Sequence, residues 1–374
     1  MNKILIIGGG FGGVAAAKKL CHSGLFIDGI LIDKKLSSDF LPTLPDCLGR
    51  GIPPECLSYP LNDFCQRNGF QFVNDEVTAV DLEKKEVMTK NSVLNYDYLV
   101  IASGSETNFY GNDNIRSNAL KLDDCVDAEK MIGILNQRDV DHFIIGGGGY
   151  TGIEVATNLR MFLDKKHRSG KIIIVERAAS ILGALPAWMK DYTAENLKRL
   201  DVEVFINNSI GNIDGRKVTL ADGKVFDSAL VIWAAGVKTA GFINDLKVEK
   251  NPQGRIKVDD FLRLNDRCFA VGDAGYFVYK DVSLRMAVQF AIVQGQCAAD
   301  NIIRTIKGQK LRPYQPRDLG FIIPMANNKS CGTIFGFDLK GILPTLFHFF
   351  MCLYRSQTWK NRFCLAKAFI KPGK

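Results

Sequence analysis

Three absences limit the classes of protein that this 374-residue sequence can encode. Its ten cysteines show no CxxC or CxxxxC spacing, which argues against a redox-active disulfide, a zinc site or an iron–sulfur cluster and favours reduced core thiols. No apolar run reaches the roughly 18 residues of a membrane-spanning helix. The first strand pattern starts at residue 3, so we expect no signal peptide before it and a protein on the cytoplasmic side.

Acidic residues are missing from one part of the chain, residues 340–374, which hold seven basic ones. Most of the net charge of +8 therefore lies in this tail. No recognised nucleic-acid-binding motif accompanies the charge, so we do not expect a nucleic-acid partner. Apolar residues make up 47% and charged residues 24% of the chain, which is typical of globular proteins.

The most informative pattern lies at residues 3–20, where an apolar run leads into glycines and then into an alanine-rich helical pattern. Gly8 allows a sharp turn, Gly10 removes a side chain where a pyrophosphate must approach, and Gly13 lets the helix pack closely on the strand. The next strand pattern ends in Asp33, which is placed to accept hydrogen bonds from ribose hydroxyls. This combination predicts a dinucleotide-binding fold.

The same pattern returns at residues 142–159, with Gly147, Gly149 and Gly152 in register. Its second strand pattern again ends in an acid, Glu176. Such an internal duplication predicts two dinucleotide-binding folds in one chain, and two bound nucleotides suit electron transfer from one to the other.

Each copy also closes with a buried strand pattern followed by glycine, at residues 96–104 and 227–236. Another buried strand ends at Gly272 and Asp273, where an acid would point into the ligand crevice of a parallel sheet. A helical pattern follows over residues 283–306. Residues 39–45 are rich in proline, and we expect a loop without regular structure there.

Together these motifs resemble the flavoproteins that carry two dinucleotide-binding domains, and within them the type II NADH dehydrogenases. The resemblance covers nearly the whole chain. The stretches that carry it are FLPTLP at 40–45, GYTGIE at 149–154, VIWAAG at 231–236, FAVGD at 269–273 and AVQFAIVQG at 287–295.

The resemblance implies FAD in the first fold and NADH in the second. Asp33 would bind the ribose of FAD and Asp273 its ribityl chain, whereas Glu176 suits NAD and would repel the 2′-phosphate of NADP. The cofactor-binding residues implied in this way are Gly8, Gly10, Phe11, Gly12, Gly13, Asp33, Ala102, Ser103, Gly104, Gly147, Gly149, Tyr150, Thr151, Gly152, Glu176, Ala235, Gly236, Gly272 and Asp273.

The resemblance further implies three catalytic residues, Glu154, Gln289 and Gln294. Glu154 resembles the acid beside the nicotinamide, although an acid near a helix N-terminus is also favoured by the helix dipole. Gln289 lies on the helix that borders the quinone in the family. The later glutamine of that helix is Val293 here, with Gln294 beside it, and a valine cannot hydrogen-bond a quinone carbonyl.

The tail is predicted to lie on a membrane surface. On a helical wheel, eight apolar residues between Ile342 and Tyr354 share one face, and residues 359–371 place lysines opposite aromatic and aliphatic side chains. We therefore expect residues 341–371 to bind an anionic leaflet without spanning it. Packing against the flavin domain or against a partner in a homodimer is the alternative.

The resulting prediction is an α/β protein with two Rossmann-like domains and a short C-terminal membrane-associating helical segment. We predict an FAD-binding domain at 1–112 and 246–330, an NADH-binding domain at 113–245 and an amphipathic membrane anchor at 331–374. The predicted activity is transfer of electrons from NADH through FAD to a membrane quinone, ubiquinone or menaquinone, by a peripheral protein on the cytoplasmic side of the membrane.

Three alternatives stay open at this point. A sulfide:quinone oxidoreductase would need cysteines beside the flavin, for which Cys125 and Cys331 are the candidates. A disulfide or ferredoxin reductase is the second alternative, and the missing CxxC and CxxxxC spacings argue against its disulfide chemistry. A flavin-bearing sensor protein, or an NADH-dependent flavoprotein with a non-quinone acceptor, would keep both nucleotide sites.

Overall fold

The computed structural model describes residues 1–137 and 140–370. Short 3-10 helices cover Leu41–Thr43, Pro54–Cys56 and Gly272–Ala274. The α-helices of the described chain are α1 (Phe11–Cys21), α2 (Asp46–Gly49), α3 (Leu61–Arg67), α4 (Asp113–Asn118), α5 (Cys125–Gln137), α6 (Tyr150–Lys165), α7 (Ala187–Arg199), α8 (Phe242–Asp245), α9 (Val288–Ile306), α10 (Ile342–Arg355) and α11 (Trp359–Ile370).

The strands of the described chain are mostly short. They are β1 (Asn2–Ile7), β2 (Ile27–Asp33), β3 (Ser37–Asp39), β4 (Ser58–Pro60), β5 (Phe70–Asn74), β6 (Val77–Asp81), β7 (Glu86–Thr89), β8 (Val93–Asn95), β9 (Tyr98–Ile101), β10 (Ser105–Thr107), β11 (His142–Gly146), β12 (Lys171–Val175), β13 (Val202–Phe205), β14 (Ile210–Asp214), β15 (Lys217–Leu220), β16 (Val225–Phe226), β17 (Ala229–Trp233), β18 (Val237–Thr239), β19 (Ile256–Lys257), β20 (Cys268–Ala270), β21 (Gly275–Tyr276), β22 (Val278–Tyr279), β23 (Val282–Ser283), β24 (Gly320–Ile323), β25 (Ser330–Ile334) and β26 (Phe337–Gly341).

The first of two compact units comprises Met1–Ser38, Tyr59–Glu106 and Val237–Asp318. Its centre is a parallel sheet with the strand order β20–β9–β1–β2–β5. The side chains of β1 alternate between two cores. Ile4 and Ile6 pack with residues of α1 and α9, whereas Leu5 and Ile7 pack with β7 and α8. Burial on both faces explains why β1 is an unbroken apolar run.

Helices α1 and α9 lie in direct backbone contact in this first unit. A Cβ atom placed on Gly295 of α9 would overlap the carbonyl oxygen of Gly12 in α1. Only glycine at residue 295 therefore allows the two helices to come this close. It positions the start of α9, and the glutamines that it carries, relative to the first glycine turn.

The second unit comprises Asp39–Ser58, Thr107–Gly236 and the described chain from Leu319. Its parallel sheet has the strand order β13–β12–β11–β17, and the antiparallel sheets β14–β15–β16 and β24–β25–β26 belong to the same unit. Ile145 and Ile174 pack with α6, whereas Ile144 and Ile173 pack with β14 and β15. Both units thus contain a parallel sheet with a strand–glycine turn–helix element, which confirms the α/β fold class with two Rossmann-like units.

The C-terminal helices belong to the second unit. α10 follows β26 directly, and its buried residues are Pro344, Thr345 and Cys352. In α11 the buried residues are Asn361, Leu365 and Ala368. No helix among the described residues is long and apolar enough to cross a membrane. Lys371, the last residue of the predicted membrane segment, lies outside the described residues.

The compact units divide the chain at different places from the three predicted domain ranges. Residues 39–58 and the described residues after 318 lie in the second unit. The assignment of the ranges to FAD, NADH and the membrane stays a prediction.

Two local predictions are wrong. Residues 39–45 are not a loop throughout, because Leu41–Thr43 forms a 3-10 helix with proline in its first turn, where the missing N–H costs nothing. The helix predicted from residue 283 begins at Val288, because Val282 and Ser283 pair with β22 as a short strand.

The expectation of reduced thiols is wrong for one pair of cysteines. Cys56 and Cys364 form a disulfide, with their Cα atoms 5.6 Å apart. The amide of Asn361 donates hydrogen bonds nearby to the carbonyl oxygens of Cys56 (2.6 Å) and Ser58 (3.0 Å). These contacts attach α11 to the Pro54–Ser58 segment of the same unit. The other eight cysteines are free.

We expect Cys364→Ser to destabilise the protein by roughly 2–4 kcal/mol, because a cross-link across 308 residues restricts the unfolded chain. The thermal unfolding midpoint should fall, and the wild type under reducing conditions should match the variant. Cys21→Ser is the matched control, since Cys21 is an exposed free thiol.

Thiol alkylation of the unfolded protein checks the same pairing directly. Without reductant, Cys56 and Cys364 should stay unlabelled while the other cysteines react. Full labelling of both residues would show that the disulfide is absent.

Candidate functional site

The glycine turn of the first unit connects β1 to α1. Gly8 has a φ of +102°, which disfavours a residue with a Cβ atom, and its Cβ position would overlap the Ala102 backbone. A Cβ atom on Gly13 would overlap the carbonyl oxygen of Gly8. At Gly10, in contrast, an added Cβ atom meets no atom of the described chain within 4 Å. The turn is therefore closed towards the protein and open at Gly10, where Phe11 begins the helix.

Asp33 holds this turn in place. Its carboxylate accepts hydrogen bonds from the N–H groups of Gly9 (2.7 Å) and Lys35 (2.8 Å). Burial raises the pKa of Asp33, and these two hydrogen bonds together with Lys35 and Lys34 oppose that rise. The acid therefore lies beside the glycine turn, as a ribose-binding residue requires.

The glycine turn of the second unit has the same construction. Gly147 has a φ of +108°, and a Cβ atom on Gly152 would overlap the carbonyl oxygen of Gly147. A Cβ atom on Gly149 meets nothing within 4 Å. Tyr150 and the exposed Thr151 begin α6 at this open end.

Glu176 repeats the role of Asp33 in the second unit. Its carboxylate accepts hydrogen bonds from the N–H groups of Gly148 (2.7 Å) and Ala178 (2.8 Å). Each acid thus binds the N–H of the second glycine of its turn and the N–H two residues beyond itself. The duplication seen in the sequence extends to individual hydrogen bonds.

The strand that closes each repeat ends beside its glycine turn. In the first unit, Ala102 donates its N–H to Ile7, and the buried hydroxyl of Ser103 has no hydrogen-bond partner among the described residues. In the second unit, Ala234 donates to Gly146 at 2.7 Å, and the Tyr110 hydroxyl donates to Ala235 at 2.7 Å. Gly104 and Gly236 follow these strands with positive φ angles.

The first turn fits a bound dinucleotide on two observations. The open space at Gly10 leaves backbone N–H groups at a helix N-terminus accessible to a pyrophosphate. The orphaned Ser103 hydroxyl supplies a polar atom that a bound group can satisfy. The second turn offers the same open space at Gly149.

Two buried side chains, Gln294 and Arg255, hold the Gly272–Asp273 turn of the first unit, and the exposed Ser105 binds its carboxylate. The Ser105 hydroxyl donates to the Asp273 carboxylate at 2.7 Å. Gln294, a predicted catalytic residue, accepts a hydrogen bond from the N–H of Gly272 at 2.7 Å and so stabilises this turn. The other buried side chain is Arg255.

The Arg255 guanidinium donates to four backbone carbonyl oxygens. Its acceptors are Gly272, Asp273 (3.0 Å), Gly275 and Leu284 (3.2 Å). Burial lowers the pKa of Arg255, and the nearby Asp273 charge opposes this effect. Arg255 therefore holds the backbone that presents Asp273.

Gln289 lies in the first turn of α9, and Val293 lies one turn further on with 46% of its surface exposed. The Gln289 amide donates to the carboxylate of Asp318 at 3.1 Å. Gln289 and Gln294 thus have different surroundings within one helix, because Gln294 is buried against Gly272.

Glu154 of the second unit lies in an electrostatically unusual place. Burial, followed by the charge of Asp46, raises its pKa well above the usual range of a glutamate. Asp46 is itself buried, and burial raises its pKa to about 6 although Arg50 opposes the shift. A carboxyl group with a raised pKa is suited to exchanging a proton near neutral pH.

Arg50 connects Asp46 to the C-terminal helices of the same unit. Its guanidinium donates to Asp46 (3.0 Å), to the carbonyl oxygen of Ala326 (2.9 Å) and to Asn328 (2.8 Å). It also lies 4.5 Å from the ring centre of Phe349 in α10. Burial and the charge of Arg50 lower the pKa of His348, on the same helix, to about 4.

Cys125 and Cys331 are both buried in the second unit. Burial raises the pKa of each thiol, and the charge of Asp39 adds to the effect at Cys125. A reactive cysteine needs a lowered pKa, so neither environment favours the sulfide chemistry considered above.

Three functional candidates were missed from the sequence: Arg255, the Asp46–Arg50 pair and Asp318. The pair has the four-residue spacing of a helical ion pair, which could have indicated the short helix α2. Arg255 and Asp318 lie in stretches without periodicity, and only their tertiary contacts distinguish them from surface residues.

Comparisons with known proteins find a matching family model and several similar chains. The family model described as pyridine nucleotide-disulphide oxidoreductase matches residues 2–295. The demethylphylloquinone reductase NdbB of Synechocystis sp. is 26% identical, over 96% of this chain and 93% of its own. A type II NADH:quinone oxidoreductase of Staphylococcus haemolyticus is 25% identical, over 91% of each chain. The structure of NDH2 from Plasmodium falciparum in complex with NADH has a TM-score of 0.86 at 20% identity, and covers 99% of this chain and 98% of that chain.

We expect Arg255→Lys to purify with less FAD and to lose roughly 2–4 kcal/mol of stability, because lysine cannot bridge four buried carbonyl oxygens. The flavin-to-protein ratio and the thermal midpoint measure the two effects. Arg267→Lys, at an exposed arginine of the same unit, is the control. Full flavin content in the Arg255 variant would contradict the role given to this residue.

Proposed function

Because the chain belongs to the pyridine nucleotide-disulphide oxidoreductase family, we propose that it is a peripheral membrane flavoenzyme that oxidises NADH through FAD and reduces a quinone. The balanced reaction takes NADH, one proton and a quinone to NAD⁺ and a quinol. No ion is pumped. FAD, when bound, supplies the chemistry of accepting two electrons from NADH and passing them to the acceptor.

The observation that carries this proposal is the equivalence of the two glycine turns. Each has an open position at its third glycine and a strand-terminal acid bound to the N–H of its second glycine. A chain with two such turns binds two dinucleotides. One donor and one resident cofactor are what NADH oxidation through FAD requires.

Glu176 favours NADH over NADPH as the donor. Its carboxylate is directed by two backbone N–H groups to the place where the adenosine ribose binds in this fold. A 2′-phosphate there would bring negative charge next to the carboxylate. Arg177, whose guanidinium lies 5.7 Å from the ring centre of Tyr110, is the nearby group that would weaken this preference.

A quinone is the acceptor that the relatives' names support, since the two relatives described above reduce a quinone by name. Gln289 supplies an amide that can hydrogen-bond a quinone carbonyl. We assign Glu154, in the helix α6 that follows the second glycine turn, the role of the acid beside the nicotinamide. Its raised pKa favours the protonated carboxyl group. Ubiquinone and menaquinone both carry carbonyl groups that an amide can hydrogen-bond.

The C-terminal helices support binding to a membrane surface. The polar residue Thr345 faces inward, where its hydroxyl is hydrogen-bonded to Ser330 at 2.6 Å. Most large apolar residues of α10 face outward, although Pro344 and Cys352 are buried. The exposed ones are Ile342, Leu343, Leu346, Phe347, Phe350 and Tyr354. A helix with this polarity is inverted relative to one that packs on a protein core.

The exposed apolar surface continues into neighbouring elements of the second unit. Trp359, Phe363 and Ile370 of α11 are exposed, as are Phe335 and Phe337 at the turn between β25 and β26. Lys360 and Lys367 are exposed on α11, and no acid occurs from residue 340 onward. Apolar side chains bordered by cations suit an anionic leaflet, on the cytoplasmic side of the membrane.

Anaerobic mixing tests the activity. NADH should bleach the flavin of the purified holoenzyme faster than NADPH does, and a quinone should restore its colour. Gln289→Ala should slow the second step while leaving the first within about twofold, because its amide acts on the acceptor. The control is Gln296→Ala, an exposed glutamine of the same helix. Bleaching by sulfide but not by NADH would contradict the proposal.

Flotation with vesicles containing phosphatidylglycerol tests the membrane surface. Phe350→Glu should reduce the vesicle-bound fraction at least severalfold, because a charge on the outward face of α10 opposes insertion. Phe26→Glu, at a phenylalanine of the first unit that is 89% exposed, is the matched control. Equal binding by both variants would show that α10 does not contact lipid.

A further inference from the structure

Three side chains form a network at the start of α9 in the first unit. The guanidinium of Arg285 donates to both carboxylate oxygens of Asp318, one of them at 2.7 Å. The Nε2 atom of Gln289 donates to the Oδ1 atom of Asp318 at 3.1 Å. Asp318 therefore joins an arginine just before the helix to a glutamine in its first turn, 29 residues earlier in the chain.

The carboxylate determines which end of the glutamine amide faces it. An ionised aspartate can only accept hydrogen bonds, so the Nε2 end of Gln289 must face Asp318 and the Oε1 end must face away. The Nε2 group donates one of its hydrogens to Asp318. The rotation of the amide about its last torsion, which is otherwise broad, is fixed by this contact.

Asp318 is held in place by its own partner. The two-point contact with Arg285 fixes the plane of the carboxylate. Arg285 in turn lies over the ring of Phe290, with its guanidinium carbon 5.3 Å from the ring centre, and Phe290 is buried. The buried Phe290 thus holds Arg285, Arg285 holds Asp318, and Asp318 holds the Gln289 amide.

This network contributes little to stability. The side chain of Asp318 is 49% exposed and that of Arg285 is 35% exposed. Ion pairs with such exposure contribute about 0–1 kcal/mol, because water screens the charges. A role in orienting Gln289 accounts for the arrangement better than a role in folding does.

The orientation of Gln289 matters more in this chain because its neighbour cannot replace it. Val293, one helical turn further on, offers no hydrogen bond. Gln294 is buried, and its Oε1 accepts a hydrogen bond from the N–H of Gly272.

We propose that Asp318, held by Arg285, is a positioning residue that fixes the Gln289 amide for hydrogen bonding to the carbonyl group of a quinone. This inference rests on the proposed function. It assigns Asp318 an effect on the acceptor half of the reaction and none on oxidation of NADH.

The test compares wild-type holoenzyme with Asp318→Asn, which keeps the size of the side chain but no longer dictates the amide orientation. Flavin reduced by NADH is reoxidised under anaerobic conditions with a short-chain ubiquinone, with menadione and with ferricyanide. Ferricyanide takes electrons without a carbonyl hydrogen bond. Asp300→Asn is the matched control, since Asp300 pairs with Arg304 on the same helix at 2.7 Å.

We expect Asp318→Asn to raise the KM for quinone roughly five- to thirtyfold, as the loss of one oriented hydrogen bond predicts. The rate of bleaching by NADH and the rate of reoxidation by ferricyanide should stay within about twofold of wild type. Asp318→Glu, which restores a carboxylate, should recover part of the quinone affinity. Asp300→Asn should match wild type with all three acceptors.

Two results would overturn the positioning role alone: an unchanged KM for quinone in Asp318→Asn, or an equal loss with quinone and ferricyanide. Failure of the proposed function is distinguishable, because then wild-type flavin bleached by NADH would be reoxidised by ferricyanide but by no quinone. In that case the positioning role falls with it.

Discussion

A hydrogen bond between a strand-terminal carboxylate and the N–H of a glycine holds the nucleotide-binding turn in each unit. Asp33 makes it to Gly9, and Glu176 makes it to Gly148, both at 2.7 Å. The bond ties the second strand of the sheet to the turn after the first strand. The turn leads into a helix whose N-terminus faces open space, so the position of this N-terminus depends on the contact.

The same contact explains why the acid recurs in both repeats with the same geometry. A carboxylate with one oxygen bound to the turn and the other bound two residues beyond itself cannot rotate. Its remaining acceptor capacity therefore has a fixed direction. These bonds show that the carboxylate supports the turn, whereas recognition of a ribose by the same group stays a prediction.

The C-terminal helices show the opposite relation between polarity and burial. Their outward apolar face is kept in place by polar anchors on the inward side: Thr345 bound to Ser330, Asn361 bound to two carbonyl oxygens, and the Cys56–Cys364 disulfide. These contacts prevent each helix from rotating about its axis, which would turn its apolar residues towards the core. An exposed apolar surface held in this way is a feature of binding sites rather than of incomplete packing.

The sequence by itself determined the two nucleotide-binding turns, because glycine positions, strand-terminal acids and apolar runs are set by local backbone geometry and by burial on both faces of a parallel sheet. It also determined the alternation of faces in α10, but not which face is buried. Tertiary structure decided which face of α10 is buried. It also paired Cys56 with Cys364 across 308 residues and brought the Asp318 carboxylate within hydrogen-bond distance of the Gln289 amide. It also separated Gln289 from Gln294. Positions five residues apart in a helix point about 140° away from each other, and neighbours that are distant in sequence determine what each side chain meets.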